Sequence, residues 1–331
     1  MLWLDALKGI GILSIMRVHM LPPMEWIQNL LFMGAVAMFF VVAGINLKME
    51  INAKDALNAK AMRLLIPYCI YSLLLFIIEH DFTRNGLTQL IGILYARMPL
   101  YRAANEGNIM FMTIGNAPLW FLPCMFLVYV WIYGIFQPIR SNKGRAMMVI
   151  FFLLLSLALS YSPVLLPWSL DTSFMFSVLL LCGYRWRNEI KNIDMRICFL
   201  TLVLWVILFT IHGNSNISIG EYGRYGFISY FVFILAVLCE TYSLSGILQS
   251  IEKTWLVKVL AYVGRNSLRL MCIHLIIYIK YQGFVTHYIP FLSNNRYAFL
   301  LGALFVILFV NVIADYLLKR ASKYCALARY L

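Results

Sequence analysis

Apolar runs of about 17–25 residues recur from one end of this 331-residue chain to the other, each long enough to cross a bilayer as a helix. No other feature restricts the fold so strongly. In hydrocarbon, every backbone polar group must be satisfied internally, which leaves a helical bundle for runs of this length. Apolar residues make up 63% of the chain and charged residues 12%, about half the charge of an average soluble domain. The mean hydropathy is +0.82. The runs predict an all-α, polytopic membrane protein with about ten transmembrane helices. Their approximate spans are 3–20, 29–47, 62–79, 118–136, 146–161, 172–186, 197–212, 226–246, 266–284 and 297–318. Short connections make this a single integral-membrane domain over 1–331, with no soluble module. The longest connection, His80 to Pro118, holds Leu87–Ala96, an apolar piece too short to span and therefore interfacial or re-entrant.

The net charge of +13 would suit nucleic acid, but its placement excludes that partner. Lys and Arg gather in short loops, as topology signals do. With the N-terminus inside, inner loops and the C-terminal tail carry 17 Lys and Arg against 6 on the outer side, so both termini are expected to be cytoplasmic. Lys8 and Arg17 interrupt the first apolar run, and no small-residue cleavage site precedes Pro22 and Pro23. That segment reads as the first membrane helix, not as a cleaved signal. The cysteines (Cys69, Cys124, Cys182, Cys198, Cys239, Cys272 and Cys325) are scattered, without CxxC or Cys/His ligand spacing. Neither a disulfide framework nor a metal site is expected.

Within the first helix, Asp5, Lys8, Arg17 and His19 are ionisable. Such groups inside a membrane segment mark function by default. Lys8 and His19 are eleven residues apart, almost three helical turns, and so share a face about 16 Å apart. One end of that stripe is a cation, and the other can take and give a proton near neutral pH. The ordinary structural reading is an interfacial Asp5–Lys8 pair, a snorkelling Arg17 and a helix-capping His19.

Further constellations follow along the chain. Lys60 and Arg63 stand one turn apart at the inner mouth of the third helix, placed to hold anionic phosphates or simply to anchor the helix. Pro67 in the same run implies a kink. Asn116-Ala117-Pro118-Leu119-Trp120-Phe121-Leu122-Pro123 places prolines around an aromatic pair at an outer helix start, where a belt tryptophan is also ordinary. Gly264-Arg265-Asn266-Ser267 opens a helix on which Ser267 and His274 share a face, with His274 about 10 Å deeper. A hydrogen-bonded core histidine is the ordinary alternative there. Glu79, His80 and Asp81 mark either an acceptor site or the membrane boundary. No Gly-rich phosphate loop, GxSxG elbow, metal cluster or glycosidase-type carboxylate pair is present.

In this order, these segments resemble the membrane acyltransferase 3 family. That family's first helix carries a basic residue, ten intervening residues and a histidine. Lys8 through His19 fits, with Lys where many members have Arg, and Asp5 also fits. Ala37 to Gly44 is similar to the family's second-helix stretch, which usually ends in Ser-Gly; Ala43 takes the Ser position. Lys60-x-x-Arg63 with Leu64-Leu65-Ile66-Pro67-Tyr68 resembles its basic pair and Pro-Tyr segment, again with Lys for the first Arg. Leu119-Trp120-Phe121-Leu122 is similar to its Trp-Phe-Leu run. Gly264-x-x-Ser267 with His274 is similar to its late Gly-x-x-Ser and histidine. The Lys in the first helix is most similar to compact members that O-acetylate sugars and polysaccharides.

The resemblance implies acyl transfer, most often of acetyl, from cytoplasmic acyl-CoA to a hydroxyl on the outer side. The acceptor would be a glycan, a lipid-linked sugar or a lipid. The setting would be the bacterial cytoplasmic membrane, among membrane lipids, with no permanently bound cofactor and no metal. In that frame His19, with Lys8 and Asp5, carries catalysis, either as general base or transiently acylated. Lys60, Arg63 and Tyr68 hold acyl-CoA, and Trp120, Asn116, Ser267 and His274 contact substrate. The competing expectation is a transporter or flippase for a glycolipid or small anion, which broken helices and buried cations also suit. Two-fold hydropathy symmetry would favour it, and none is found.

Overall fold

A computed structural model describes residues 1–20, 30, 34–79, 86–97, 100–102, 118–212, 220, 226–323, 328 and 330–331. Among these the regular structure is helical. The elements are α1 (Leu2–Met20), α2 (Ala35–Ile45), α3 (Ala53–Glu79), α4 (Gly86–Tyr95), α5 (Phe121–Val130), α6 (Asn142–Ser160), α7 (Leu170–Trp186), α8 (Met195–His212), α9 (Phe227–Ser250), α10 (Trp255–Arg265), α11 (Ser267–Tyr288) and α12 (Arg296–Ala321). Among the described residues six stretches are long and apolar enough to cross a membrane by themselves: α3, the stretch from Pro118 through α5 to Phe136, α6, α9, α11 and α12. Helices α2 and α8 are apolar but shorter. The apolar piece expected between His80 and Pro118 is α4. Helix α10 was not anticipated. It carries Lys258 and Arg265 and is too short to span, so no hydropathy signal marks it.

The chain is a membrane protein, and its outer surface suits lipid. On α6, Met147, Ile150, Phe151 and Leu154 are exposed, and on α12 so are Leu301, Phe305 and Phe309. Exposed apolar area of this extent is a liability in water and a match for a bilayer.

Helix α1 is the axis of the bundle. It packs against α2, α9, α10 and α11, and Ala6, Leu7, Ile12 and Met16 are wholly buried. A helix enclosed by protein in this way can carry ionisable side chains that lipid would exclude. Its first turn is tied down where the Trp3 backbone N–H donates to Glu252 Oε1 at 3.2 Å. An acidic group there satisfies an orphan amide and meets the positive end of the helix dipole.

Small residues set the closest approaches, as in membrane helix packing generally. A Cβ on Gly9 would lie 2.1 Å from the Leu260 carbonyl oxygen, and one on Gly264 only 1.7 Å from that of Asp5. Backbone thus meets backbone between α1 and α10. Gly44 and Gly183 do the same for α2 and α7, against Leu180 and Val41. Helix α3 runs on through Pro67. Helix α5 widens into a π-helical turn, Trp131–Phe136. Just past it, Gln137 Nε2 donates to the Ile51 carbonyl at 2.9 Å, holding the α2–α3 connection.

Beyond the far end of α3, α4 is bound to the segment that enters α7. Tyr95 donates to the Leu165 carbonyl at 2.7 Å and Trp168 Nε1 to that of Leu94 at 2.8 Å. Arg97 and Asp171 form a buried ion pair. Trp168 and Ser169 take positive φ there, at 56° and 57°, a conformation non-glycine residues hold only where surrounding contacts enforce it.

The α1–α10 contact makes a direct prediction. Gly264→Ala must push the two helices apart, at about 1–3 kcal/mol. It should lower the thermal unfolding midpoint in detergent. Gly283→Ala, where a Cβ meets nothing within 4 Å, should leave the midpoint unchanged or slightly raised. Equal midpoints would mean that the close crossing does not hold the bundle.

Candidate active site

A cavity of about 230 Å³ opens among α1, α2, α3, α5, α10 and α11. Lys8, Lys60, Arg63 and Arg265 line it, and none of its lining residues is a carboxylate. The cations outnumber the one carboxylate beside them, Asp5, and leave a positive field focused by low-dielectric surroundings. The remainder of the wall is mostly apolar, including Phe39, Leu64, Phe121, Met125, Leu268 and Met271. A volume below the roughly 300–1,000 Å³ of drug-sized sites admits only a slender part of a large ligand.

Each cation is placed by its neighbours. Lys8 Nζ pairs with Asp5 Oδ1 at 2.6 Å, and Arg265 reaches Asp5 Oδ2 at 3.9 Å. Pairs this exposed add little stability, but Asp5 spaces a cation of α1 from one at the end of α10. Lys60 Nζ sits 4.2 Å above the Tyr129 ring, an attraction between a cation and the negative ring face. Tyr129 stacks on Tyr133, with centroids 6.2 Å apart, and the Tyr133 hydroxyl donates to the Lys48 carbonyl at 3.0 Å. The π-helical turn, which contains Tyr133, therefore supports the ring under Lys60. Asn266 breaks the chain between α10 and α11. Its side-chain amide donates to the Tyr262 carbonyl at 2.9 Å, and the break sets Arg265 and Ser267 on the cavity.

Helix α11 then leads away from the cavity. Met271 lines its wall, and His274 lies one turn on, about 4.5 Å along the axis. His274 is wholly buried. Its ring faces His19 of α1, with centroids 5.3 Å apart and planes tilted by 43°. One further turn on, the Tyr278 hydroxyl donates to the Met20 carbonyl, pinning the last turn of α1 beside His19. One face of α11 thus runs from a cationic cavity to a pair of histidines.

The structure brings together Lys8, Lys60, Arg63 and Ser267 at the cavity, with Asp5 bracing two of its cations, and His19 with His274 beyond it. Trp120 stands at the edge of this site. It packs edge-on to the cavity residue Phe121 and stacks on Phe176, both at 6.4 Å. Tyr68 lies elsewhere: it is buried, is not part of the cavity wall, and its hydroxyl donates to the Ile93 carbonyl of α4. Asn116, His80 and Asp81 fall outside the described residues. The sequence reading missed Arg265, Asn46 and Tyr129 as cavity residues. Arg265 sits inside the Gly264–Ser267 segment, but its membership depends on the break at Asn266. Tyr129 carries no sequence signal beyond being aromatic. Among the described residues no cluster of His, Cys, Asp and Glu is arranged to hold a metal.

The structure thus sets a cationic cavity one turn along α11 from two adjacent imidazoles, inside a helical bundle. The chain is a member of the membrane acyltransferase 3 family, whose model, described as an acyltransferase domain, matches residues 1–315. It is thereby a membrane acyltransferase. Searches among curated proteins and among solved structures give no match.

The placement of Tyr68 predicts a structural phenotype. Tyr68→Phe leaves the buried Ile93 carbonyl without its donor, at about 1–3 kcal/mol. The thermal midpoint should fall. A mutant of unchanged midpoint but weakened anion binding would put the phenol at the cavity instead.

Proposed function

We propose that this protein transfers an acetyl group from acyl-CoA to a hydroxyl of a glycan, lipid-linked sugar or lipid, with both termini and the cationic cavity on the cytoplasmic side of a bacterial cytoplasmic membrane. The observation that carries this reading is the union of Lys8, Lys60, Arg63 and Arg265 in the wall of one cavity, with His19 and His274 one helical turn beyond its wall residue Met271. A CoA ester fits it by chemistry. Its phosphates suit the cations, as charge-assisted hydrogen bonds. Its slender arm suits the narrow apolar remainder, and the large nucleotide would stay at the mouth. The thioester would then approach His19. Positive-inside charge bias supports the assigned orientation.

His19 acts as general base in this scheme. It takes the proton of the acceptor hydroxyl as the oxygen bonds to the acyl carbon. The carbon–sulfur bond breaks, and the proton passes to the departing thiolate as free CoA thiol. A route through an acylated His19 uses the same geometry in two steps. Asp5 serves by spacing Lys8 and Arg265. Trp120, Phe121 and Phe176 form an aromatic wall on the acceptor side, with Ser267 polar at the cavity. Tyr68 contributes to the fold of α3 and α4.

Release of CoA thiol from acetyl-CoA, by purified protein in nanodiscs supplied with cell-envelope glycan, tests the reading. His19→Ala should lower kcat by about 10²–10⁴-fold with normal membrane insertion. Lys60→Gln and Arg63→Gln should each raise KM for acetyl-CoA by about 10-fold or more, from the loss of a charged hydrogen bond worth about 1.5–3 kcal/mol. An active His19→Ala protein would remove that residue from catalysis. Absence of release by folded wild type, with both acetyl-CoA and succinyl-CoA, would favour an anion or glycolipid transporter.

A further inference from the structure

The His274 side chain is only half satisfied. Its Nδ1 lies 2.8 Å from the Leu270 carbonyl, one turn back on its own helix. A carbonyl can only accept, so Nδ1 carries the hydrogen. In the neutral ring Nε2 is then a bare acceptor. That atom is buried and meets no donor among the described residues. A core histidine held for packing explains the first contact and leaves the second unexplained. An unfilled buried acceptor has lost its hydration without return, so a fold that keeps one has reason to fill it in the working state. An aromatic neighbour of this ring is His19, at 5.3 Å between centroids. Rotation of an imidazole about its last torsion is soft, so a modest turn of His19, or one bridging water, joins the rings. Tyr278, on the same face of α11, fixes the Met20 carbonyl beside it, so the two helices are held in register where the rings meet.

We propose that His274 is the positioning residue for His19: its free Nε2 accepts a hydrogen bond from one His19 nitrogen and leaves the other as the base. This rests on the acyl-transfer reading of the site. A base needs one defined tautomer, and the partner of its second nitrogen defines it. In soluble hydrolases a buried carboxylate does this. A neutral imidazole gives the same orientation without bringing a net charge into the membrane interior. Through the reaction His274 stays neutral. The hydroxyl proton moves to the free nitrogen of His19, the ester C–O bond forms as the thioester C–S bond breaks, and the proton leaves on the CoA thiol. While His19 holds the proton, its bond to His274 becomes charge-assisted and stronger.

The test compares His274→Met, which fills the space without an acceptor, with His274→Gln, whose side-chain oxygen can still accept. The full chain is labelled with ¹⁵N-histidine in nanodiscs, and thiol release from acetyl-CoA is measured on the same samples. His274→Met should shift the ring nitrogen signals of His19 and lower kcat about 10- to 100-fold, with KM for acetyl-CoA within about twofold of wild type. His274→Gln should recover most of both effects. Unchanged His19 signals in His274→Met, or equal kcat for Met and Gln, would overturn the proposal. Failure of the wild type to release thiol would count against acyl transfer itself, and the nitrogen signals would still decide the pairing.

Discussion

Enclosure of α1 is the condition on which the rest depends. A helix that carries Asp5, Lys8, Arg17 and His19 cannot face hydrocarbon along its length at acceptable cost. Here it is surrounded by α2, α9, α10 and α11, and its tightest contact is backbone against backbone at Gly9 and Gly264. That contact brings the end of α10 against the first turns of α1. Asp5 can then hold both Lys8 and Arg265, and α11 starts beside the cavity. Gly264 therefore shapes the site without lining it by charge: it lets the cationic wall close.

The site is electrostatically uneven. Its cavity end holds four cations, two of them in reach of Asp5, while one turn beyond the wall sit two imidazoles. In the proposed reading the first region holds the polyanionic donor and the second moves the proton. Lys60 over Tyr129 and the stacked Tyr133 tie the cation-bearing mouth of α3 to the π-helical turn at the end of α5, a local irregularity of the kind common at functional sites. The buried Arg97–Asp171 pair and the strained Trp168 and Ser169 lie at the entry to α7, where removing one partner would leave a buried charge alone.

Much of this was legible in the residues. Long apolar runs are read by length alone, and α6, α9 and α12 fall on them, with their ends displaced by up to four residues. The spacing of Lys8 and His19, and of Ser267 and His274, places each pair on a helix face because helical periodicity is local. Local rules do not say which faces meet. That His19 would find His274, and that Lys60 would rest on Tyr129, depends on α11 and α5 packing beside α1 and α3. Helix α10 escaped for a different reason: it is short and carries Lys258 and Arg265, so it has the composition of a loop. Tyr68 shows the converse. Its position beside Pro67 resembles a binding segment, yet its hydroxyl is committed to the Ile93 carbonyl, a partner 25 residues away.

The central claim is that the donor enters at the cations and delivers its acyl carbon to His19. A structure of the protein with an acyl-CoA analogue, its thioester sulfur replaced by a methylene so that transfer cannot occur, tests it most directly. The phosphates should lie against Lys60, Arg63 and Arg265, with the acyl carbon within reach of the His19 ring. An analogue bound away from this cavity, or with its acyl end remote from His19, would contradict the claim.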